Sequence, residues 1–150
     1  MTLKEQLQTD LTAAMKARDE LTRDTLRMAL KAVKDEEVAG DAVRTLSDEE
    51  VRGVVAREAK RRREAAEAFR SGGALERAER ELAEGAVLQA YLPQQLSDEE
   101  LAALVREAVA ESGASGPRAM GAVMKIVQPR VSGRAEGGRV AAAVRAALTG

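Results

Sequence analysis

Four cations and a group of glycines lie close together in the segment MGAVMKIVQPRVSGRAEGGRV, residues 120–140. The cations are Lys125, Arg130, Arg134 and Arg139. The glycines around the last two arginines are Gly133, Gly137 and Gly138. Such a group could bind phosphate, because glycine allows a close approach to the backbone and a helix N-terminus attracts anions. The GxxxxGK[ST] spacing of a P-loop is absent, which excludes a nucleotide-binding loop of that kind.

The same residues also fit a simpler structural interpretation. Glycines are common in tight turns, and charged side chains on a surface helix are usually solvated. No strand precedes the glycines, so they are not a dinucleotide-binding fingerprint. The spacing alone leaves open both a phosphate-binding surface and a tight turn with solvated arginines.

A second run of cations, Lys60 to Arg63, lies in the N-terminal half. Four consecutive residues on a helix point in four directions, so they cannot all line one face. Glutamates four residues away are available as partners, for example Glu58 for Arg62. We therefore expect a solvated, salt-paired helix here, although Arg57 and Arg61 could extend a basic surface.

The composition excludes several kinds of chemistry. The 150 residues include no cysteine and no histidine, which rules out a thiolate nucleophile, a Ser-His-Asp triad and the commonest zinc ligands. We therefore predict no catalytic residues, no cofactor and no metal. Phe69 and Tyr91 are the only aromatic residues, which argues against binding single strands by base stacking.

Hydrophobicity along the chain indicates a soluble protein. No apolar run approaches the ~20 residues that would span a bilayer, and the N-terminal segment lacks the apolar core of a signal peptide. We expect a cytoplasmic protein without a membrane partner.

Helical spacing of apolar residues occurs nearly everywhere, and no segment alternates as a strand does. The pattern LSDEE occurs twice, and each copy predicts a capping box, Ser47 with Glu50 and Ser97 with Glu100. Pro93 disfavours helix at Leu92 and marks a domain boundary. The sequence therefore predicts an all-α protein, with a four-helix N-terminal domain (1–92) and a three-helix C-terminal domain (95–150). The last three helices are expected at about 97–112, 117–128 and 136–148, with Pro129 ending the second.

Charge is unevenly distributed in the C-terminal domain. Residues 97–116 hold one Lys or Arg and five Asp or Glu, a net charge of −4, whereas residues 117–150 hold six and one, a net charge of +5. Apolar stripes predict that the last two helices pack against each other; they comprise Met120, Val123, Met124 and Val127, and Val140, Val144, Ala147 and Leu148. This packing would leave the four cations facing water.

These motifs resemble the GatB/YqeY family. The resemblance rests on four segments: TRDTLRMALKAVKDEEV (22–38), KRRREAAEAFRSGG (60–73), YLPQQLSDEEL (91–101) and the 120–140 segment. The family more often has Asp where this chain has Glu136. The resemblance implies that the C-terminal helices are similar to the tail domain of the B subunit of the tRNA-dependent amidotransferase, a helical tRNA-binding appendage separate from the catalytic parts.

By this resemblance, the chain is expected to be a tRNA-binding accessory protein that is non-catalytic on its own. Lys125, Arg130, Arg134 and Arg139 would contact phosphates, and the three glycines would shape the loop. The partners would be tRNA, or the aminoacyl-tRNA or amidotransferase machinery. Two alternatives stay open: a protein-interaction adaptor with a basic face, or a carbon–nitrogen ligase with glutamine as amido donor that works only with other subunits.

Overall fold

The computed structural model describes residues 1–113 and 115–149. Within these ranges the chain is helical and contains no strand, which confirms the all-α prediction. The chain divides into two compact units, Met1–Leu92 and Pro93–Gly150. The α-helices are α1 (Leu3–Ala17), α2 (Glu20–Glu37), α3 (Asp48–Ser71), α4 (Leu75–Gln89), α5 (Asp98–Ser112), α6 (Met120–Val131) and α7 (Gly137–Thr149).

Unit 1 contains α1 to α4 around a single apolar core. Helices α3 and α4 pack along each other, as do α1 and α2. The fully buried centre consists of aliphatic side chains from all four helices, including Leu7, Leu26, Val33, Val55 and Leu88. Tyr91 packs against this core, and its hydroxyl donates to Asp10 Oδ2 at 2.5 Å. Burial and the Asp10 carboxylate both raise the pKa of Tyr91, so the hydroxyl keeps its proton.

Unit 2 contains α5, α6 and α7 around a separate core. Its buried side chains include Val123 and Val127 on α6 and Val140 and Val144 on α7, which belong to the predicted stripes, and residues of α5 such as Val105. Met120 and Met124 pack against it as partly buried residues. The last two helices pack against each other as expected.

Both predicted capping boxes are present. Ser47 Oγ accepts from the Glu50 N–H at 3.2 Å, and Ser97 Oγ accepts from the Glu100 N–H at 3.1 Å. In each box the glutamate carboxylate accepts from the N–H of the serine at 3.1 Å. The two LSDEE copies are therefore helix start signals. The hydrogen bond from Arg44, and after it the bond from the Ser47 N–H, lower the pKa of Glu50, and the bond from the Ser97 N–H lowers the pKa of Glu100.

The prediction that Pro129 ends its helix was wrong. Helix α6 continues through Pro129 to Val131, with Ser132 as its C-cap. A proline removes one hydrogen bond from a helix interior. Here the proline lies in the last turn of the helix. Val131, two residues later, is only 4% exposed and packs in the core of unit 2. Helix α6 also begins later than expected, because Pro117 starts a 3-10 turn, Pro117–Ala119.

Candidate nucleic-acid interface

Helix α6 carries two of the predicted cations. Lys125 is exposed and has no ion-pair partner among the described residues. Arg130, in the last turn, forms an ion pair through Nη2 with the Glu111 carboxylate of α5. This hydrogen bond raises the pKa of Arg130. The two cations are five residues apart, which places them about 140° apart around the helix, so they do not share a face.

The loop after α6 turns sharply at two left-handed residues. Ser132 has φ +43° and Gly133 has φ +79°. The turn is closed by backbone hydrogen bonds from the Ser132 N–H to the Gln128 carbonyl and from the Arg134 N–H to the Val131 carbonyl, each 3.0 Å. A left-handed φ is costly for residues with a Cβ, so the loop needs glycine at position 133.

Gly137 and Gly138 differ from Gly133. They form the start of α7 and have no left-handed φ. A Cβ built at either position would meet nothing within 4 Å. The backbone conformation therefore gives no reason for glycine at these two positions.

Arg134 folds its side chain back over the end of α6. Its Nη2 donates to the Arg130 carbonyl at 2.8 Å, and its Nε donates to the Val131 carbonyl at 3.3 Å. The last carbonyls of a helix have no partners within the helix and carry partial negative charge. Arg134 therefore caps the C-terminus of α6, and its guanidinium is bound to the backbone instead of being fully solvated.

Arg139, in the first turn of α7, holds the segment that leads into α5. Its Nη2 donates both to the Leu96 carbonyl at 2.9 Å and to Asp98 Oδ1 at 2.8 Å. The Leu96 N–H donates to the Arg134 carbonyl at 2.7 Å. Gln95 Nε2 adds a hydrogen bond to the Gly133 carbonyl at 3.3 Å. The α6–α7 loop and residues 95–98 are thus joined by a set of direct contacts.

The predicted cations form an elongated surface rather than a compact pocket. Asp98 and Glu111, the partners of Arg139 and Arg130, lie 13 residues apart on α5. At 1.5 Å per residue they are about 20 Å apart along the helix axis. Arg134 and Arg139 meet around Leu96, whereas the side chain of Arg130 extends towards the other end of α5. We call the surface formed by Arg130, Arg134 and Arg139 the arginine surface.

The expectation that all four cations face water holds for Lys125 and Arg130, which are exposed, whereas Arg134 and Arg139 are only partly exposed. Arg130 and Arg139 pair with carboxylates, and Arg134 caps α6. Sequence reasoning missed Asp98 and Glu111 as partners. The sequence carries only a coarse signal, the acidic block at 97–116 followed by the basic block at 117–150, which does not indicate which residues pair.

A buried charge cluster in unit 1 also departs from the prediction. Arg62 was expected on a solvated helix face, yet it is only 9% exposed. Its Nε lies 3.2 Å from Glu84 Oε2, and its Nη2 lies 3.3 Å from Met28 Sδ. Glu58 and Glu81 lie at 4.0 and 3.9 Å. The apolar residues on either side of Arg62, Ala59 and Ala66, are buried, so this face of α3 lies inside the unit.

Two further cations of α3, Arg57 and Arg61, are paired with carboxylates. Arg57 Nη2 lies 2.9 Å from Glu36 Oε2, and Arg61 Nη1 lies 3.2 Å from Glu58 Oε1. Both side chains are mostly exposed, as predicted for a salt-paired helix.

In the part of the chain that the structure describes, no group of three or more Asp or Glu side chains is arranged to hold a metal ion. In residues 1–113 and 115–149 no helix combines the length and the hydrophobicity needed to cross a bilayer.

Comparison with known proteins identifies the family. A search of curated proteins found no match. The family model described as Yqey-like protein matches residues 4–148, nearly the whole chain, and this chain therefore belongs to the YqeY-like family.

Proposed function

We propose that this protein is a tRNA-binding accessory protein, non-catalytic on its own, whose C-terminal unit contacts the RNA backbone through the arginine surface. Support comes from the net charge of +5 in residues 117–150 and from the resemblance of the 120–140 segment to the tail domain of the tRNA-dependent amidotransferase B subunit. The wider role would be in tRNA charging or amidation.

The observation that carries the proposal is how the three guanidinium groups are held. Arg130 and Arg139 use Nη2 for their protein contacts, and Arg134 uses Nε and Nη2. In each of the three, Nη1 has no hydrogen-bond partner among the described residues. A guanidinium has five N–H donors, so each arginine is held in place while it keeps donors for a phosphate.

Phosphate contacts would position the RNA without reading its sequence. Folded RNA is recognised largely through its shape, its phosphates and its 2′-hydroxyls, so the scarcity of aromatic residues does not oppose the proposal. Lys125, on another face of α6, would contribute only to an RNA that wraps around that helix. Gly133 would set the loop geometry, whereas Gly137 and Gly138 would leave the start of α7 open to a phosphate.

The test is tRNA binding by fluorescence anisotropy at two salt concentrations. We compare the wild-type chain with Arg130→Gln/Arg134→Gln/Arg139→Gln. The matched control removes three ion-paired arginines from unit 1: Arg23→Gln, Arg44→Gln and Arg70→Gln. Each neutralised phosphate contributes about 0.7–0.9 to the log–log salt slope. We expect the first variant to lose about two units of slope and most of its affinity, and the control to bind as the wild type does.

Equal binding by the two triple variants would contradict the proposed surface. Absence of tRNA binding by the wild-type chain at low salt would contradict the function itself. Circular dichroism of each variant checks that the helices are intact.

One observation favours a second function, a protein-interaction adaptor. A groove of about 200 Å³ between α3 and α4 is lined mainly by apolar or small residues, among them Ala59, Leu82, Gly85 and Ala86. Leu82 is 42% exposed and Leu75, on the same helix, is 60% exposed. Exposed apolar surface of this kind is typical of protein contacts. Competition by tRNA separates the two functions, because an adaptor that acts through this groove would keep its protein partner in excess tRNA.

A separate experiment tests whether the isolated chain catalyses amide transfer. Incubation with glutamine, ATP and Glu-tRNA(Gln) should yield no amidated product if the protein is an accessory. A product would overturn the non-catalytic role.

A further inference from the structure

Two acidic side chains of α5 already occupy the arginine surface. Asp98 Oδ1 accepts from Arg139 Nη2 at 2.8 Å, and Glu111 is paired with Arg130 Nη2. We infer that Asp98 and Glu111 compete with phosphate for the arginines. The arginine surface would therefore bind a long polyanion, which can displace both carboxylates, and would bind small anions only weakly. This inference rests on the proposed function and adds a regulatory feature to the same surface.

The two carboxylates are not needed to start or cap their helix. Ser97 and Glu100 form the capping box of α5, and Asp98 takes no part in it. The side chain of Asp98 is 95% exposed and that of Glu111 is 52% exposed, so neither is held by burial. Their contacts in the structure are with the arginines. Exposed ion pairs of this kind are weak, so a phosphate could replace each carboxylate.

The spacing of the two pairs favours long ligands. Asp98 and Glu111 lie at opposite ends of α5, about 20 Å apart along its axis. An inorganic phosphate could replace one carboxylate at most. A nucleic-acid backbone presents many phosphates on one chain, so the second replacement is intramolecular once the first has occurred.

Arg139 would not become mobile on losing Asp98, because its Nη2 also donates to the Leu96 carbonyl at 2.9 Å. Arg134 caps α6 in either state and forms no close ion pair among the described residues; its charge is sensed by the carboxylate of Glu100, which belongs to the capping box of α5. The exchange would therefore change the charges that face the ligand and leave the loop in place. The carboxylates lower the affinity of the surface without disrupting its shape.

The test uses two double variants with the same change of charge. Asp98→Asn/Glu111→Gln removes both paired carboxylates. Glu49→Gln/Glu99→Gln is the control, because these two exposed residues occupy the same place in the two LSDEE copies and have no ion-pair partner among the described residues. We measure dissociation constants for tRNA, and for heparin as a polyanion that is not RNA. Inorganic phosphate serves as the small-anion probe.

We expect the paired-site variant to bind tRNA and heparin about three- to tenfold more tightly than the control variant, since two weak ion pairs no longer have to be broken. Inorganic phosphate should bind weakly to both. Equal tRNA affinities for the two double variants would overturn the inference while the proposed function stands.

The heparin measurement separates the two proposals if tRNA binds to none of the proteins. In that case the missing tRNA binding contradicts the tRNA function. Tighter heparin binding by the paired-site variant than by the control would still support internal competition. Equal heparin affinities would contradict internal competition as well. The single variants Asp98→Asn and Glu111→Gln, each compared with Glu99→Gln, give the same comparison with a smaller risk to folding.

Discussion

Arg139 and Leu96 are joined by a 2.9 Å hydrogen bond from a guanidinium Nη2 to a backbone carbonyl, although 43 residues separate them in the chain. Leu96 is 7% exposed and packs in the core of unit 2. Its N–H donates to the Arg134 carbonyl, so both polar groups of this residue are satisfied by the α6–α7 region. Arg139 thus has a structural role that is independent of any ligand.

Replacement of Arg139 by glutamine should lower the free energy of unfolding of the C-terminal unit by ~1 kcal/mol. The Leu96 carbonyl would lose its partner, and an unsatisfied buried acceptor is costly. Urea unfolding followed by circular dichroism gives the free energy, and hydrogen exchange at the Leu96 amide, which donates to the Arg134 carbonyl, reports on the local stability beside this contact. Arg145→Gln is the control, because Arg145 is exposed on the same helix without a side-chain partner among the described residues. Equal stabilities of the two variants would contradict the structural role.

Gly133 and Gly138 should respond in opposite ways to alanine. A Cβ at either position meets nothing within 4 Å, so sterically both are open. Gly133 has φ +79°, and alanine there should cost ~1 kcal/mol of stability. Gly138 lies in the first turn of α7, where alanine should be neutral or stabilising by up to ~1 kcal/mol. Thermal unfolding of the two variants measures the difference, and a stabilising Gly133→Ala would show that the loop does not need glycine.

Arg62 and Arg61 are neighbours in sequence that should differ strongly in their effect on stability. Arg62 is buried beside Glu84, whereas the side chain of Arg61 is 72% exposed. Arg62→Ala should destabilise unit 1 by ~3 kcal/mol, since it leaves Glu81 without a counter-charge and removes one of the two arginines beside Glu84. Arg61→Ala should change stability by less than ~1 kcal/mol, as is usual for exposed ion pairs. Urea unfolding measures both, and similar losses would show that the Arg62 cluster contributes no more than a surface pair.

Glu37 should make the stability of unit 1 depend on pH in the acid range. The hydrogen bond from Lys4 Nζ, at 2.9 Å, and another from the Leu46 N–H lower the pKa of Glu37. Because its pKa in the folded state lies below that in the unfolded state, the stabilisation is complete above the unfolded value of ~4.3 and is lost as the pH falls through the folded pKa. The urea midpoint of the wild type should therefore fall more steeply below about pH 5 than that of Glu37→Gln. Identical acid profiles would contradict this role for Glu37.

The sequence by itself determined the features that depend on near neighbours. Helix periodicity, the Ser47 and Ser97 capping boxes and the core stripes of α6 and α7 all relate residues three to seven positions apart, and the structure confirms them. The family resemblance likewise rested on local motifs, and the family model confirms it for the YqeY-like family.

The tertiary structure alone decided which charges meet. The pairing of Arg139 with Asp98, the pairing of Arg130 with Glu111 and the burial of Arg62 against α4 each join residues 19 to 41 positions apart. Local patterns do not encode such distances, because the partner depends on how the helices pack. The continuation of α6 through Pro129 has the same origin, since the burial of Val131 in the core of unit 2 outweighs the hydrogen bond that proline removes.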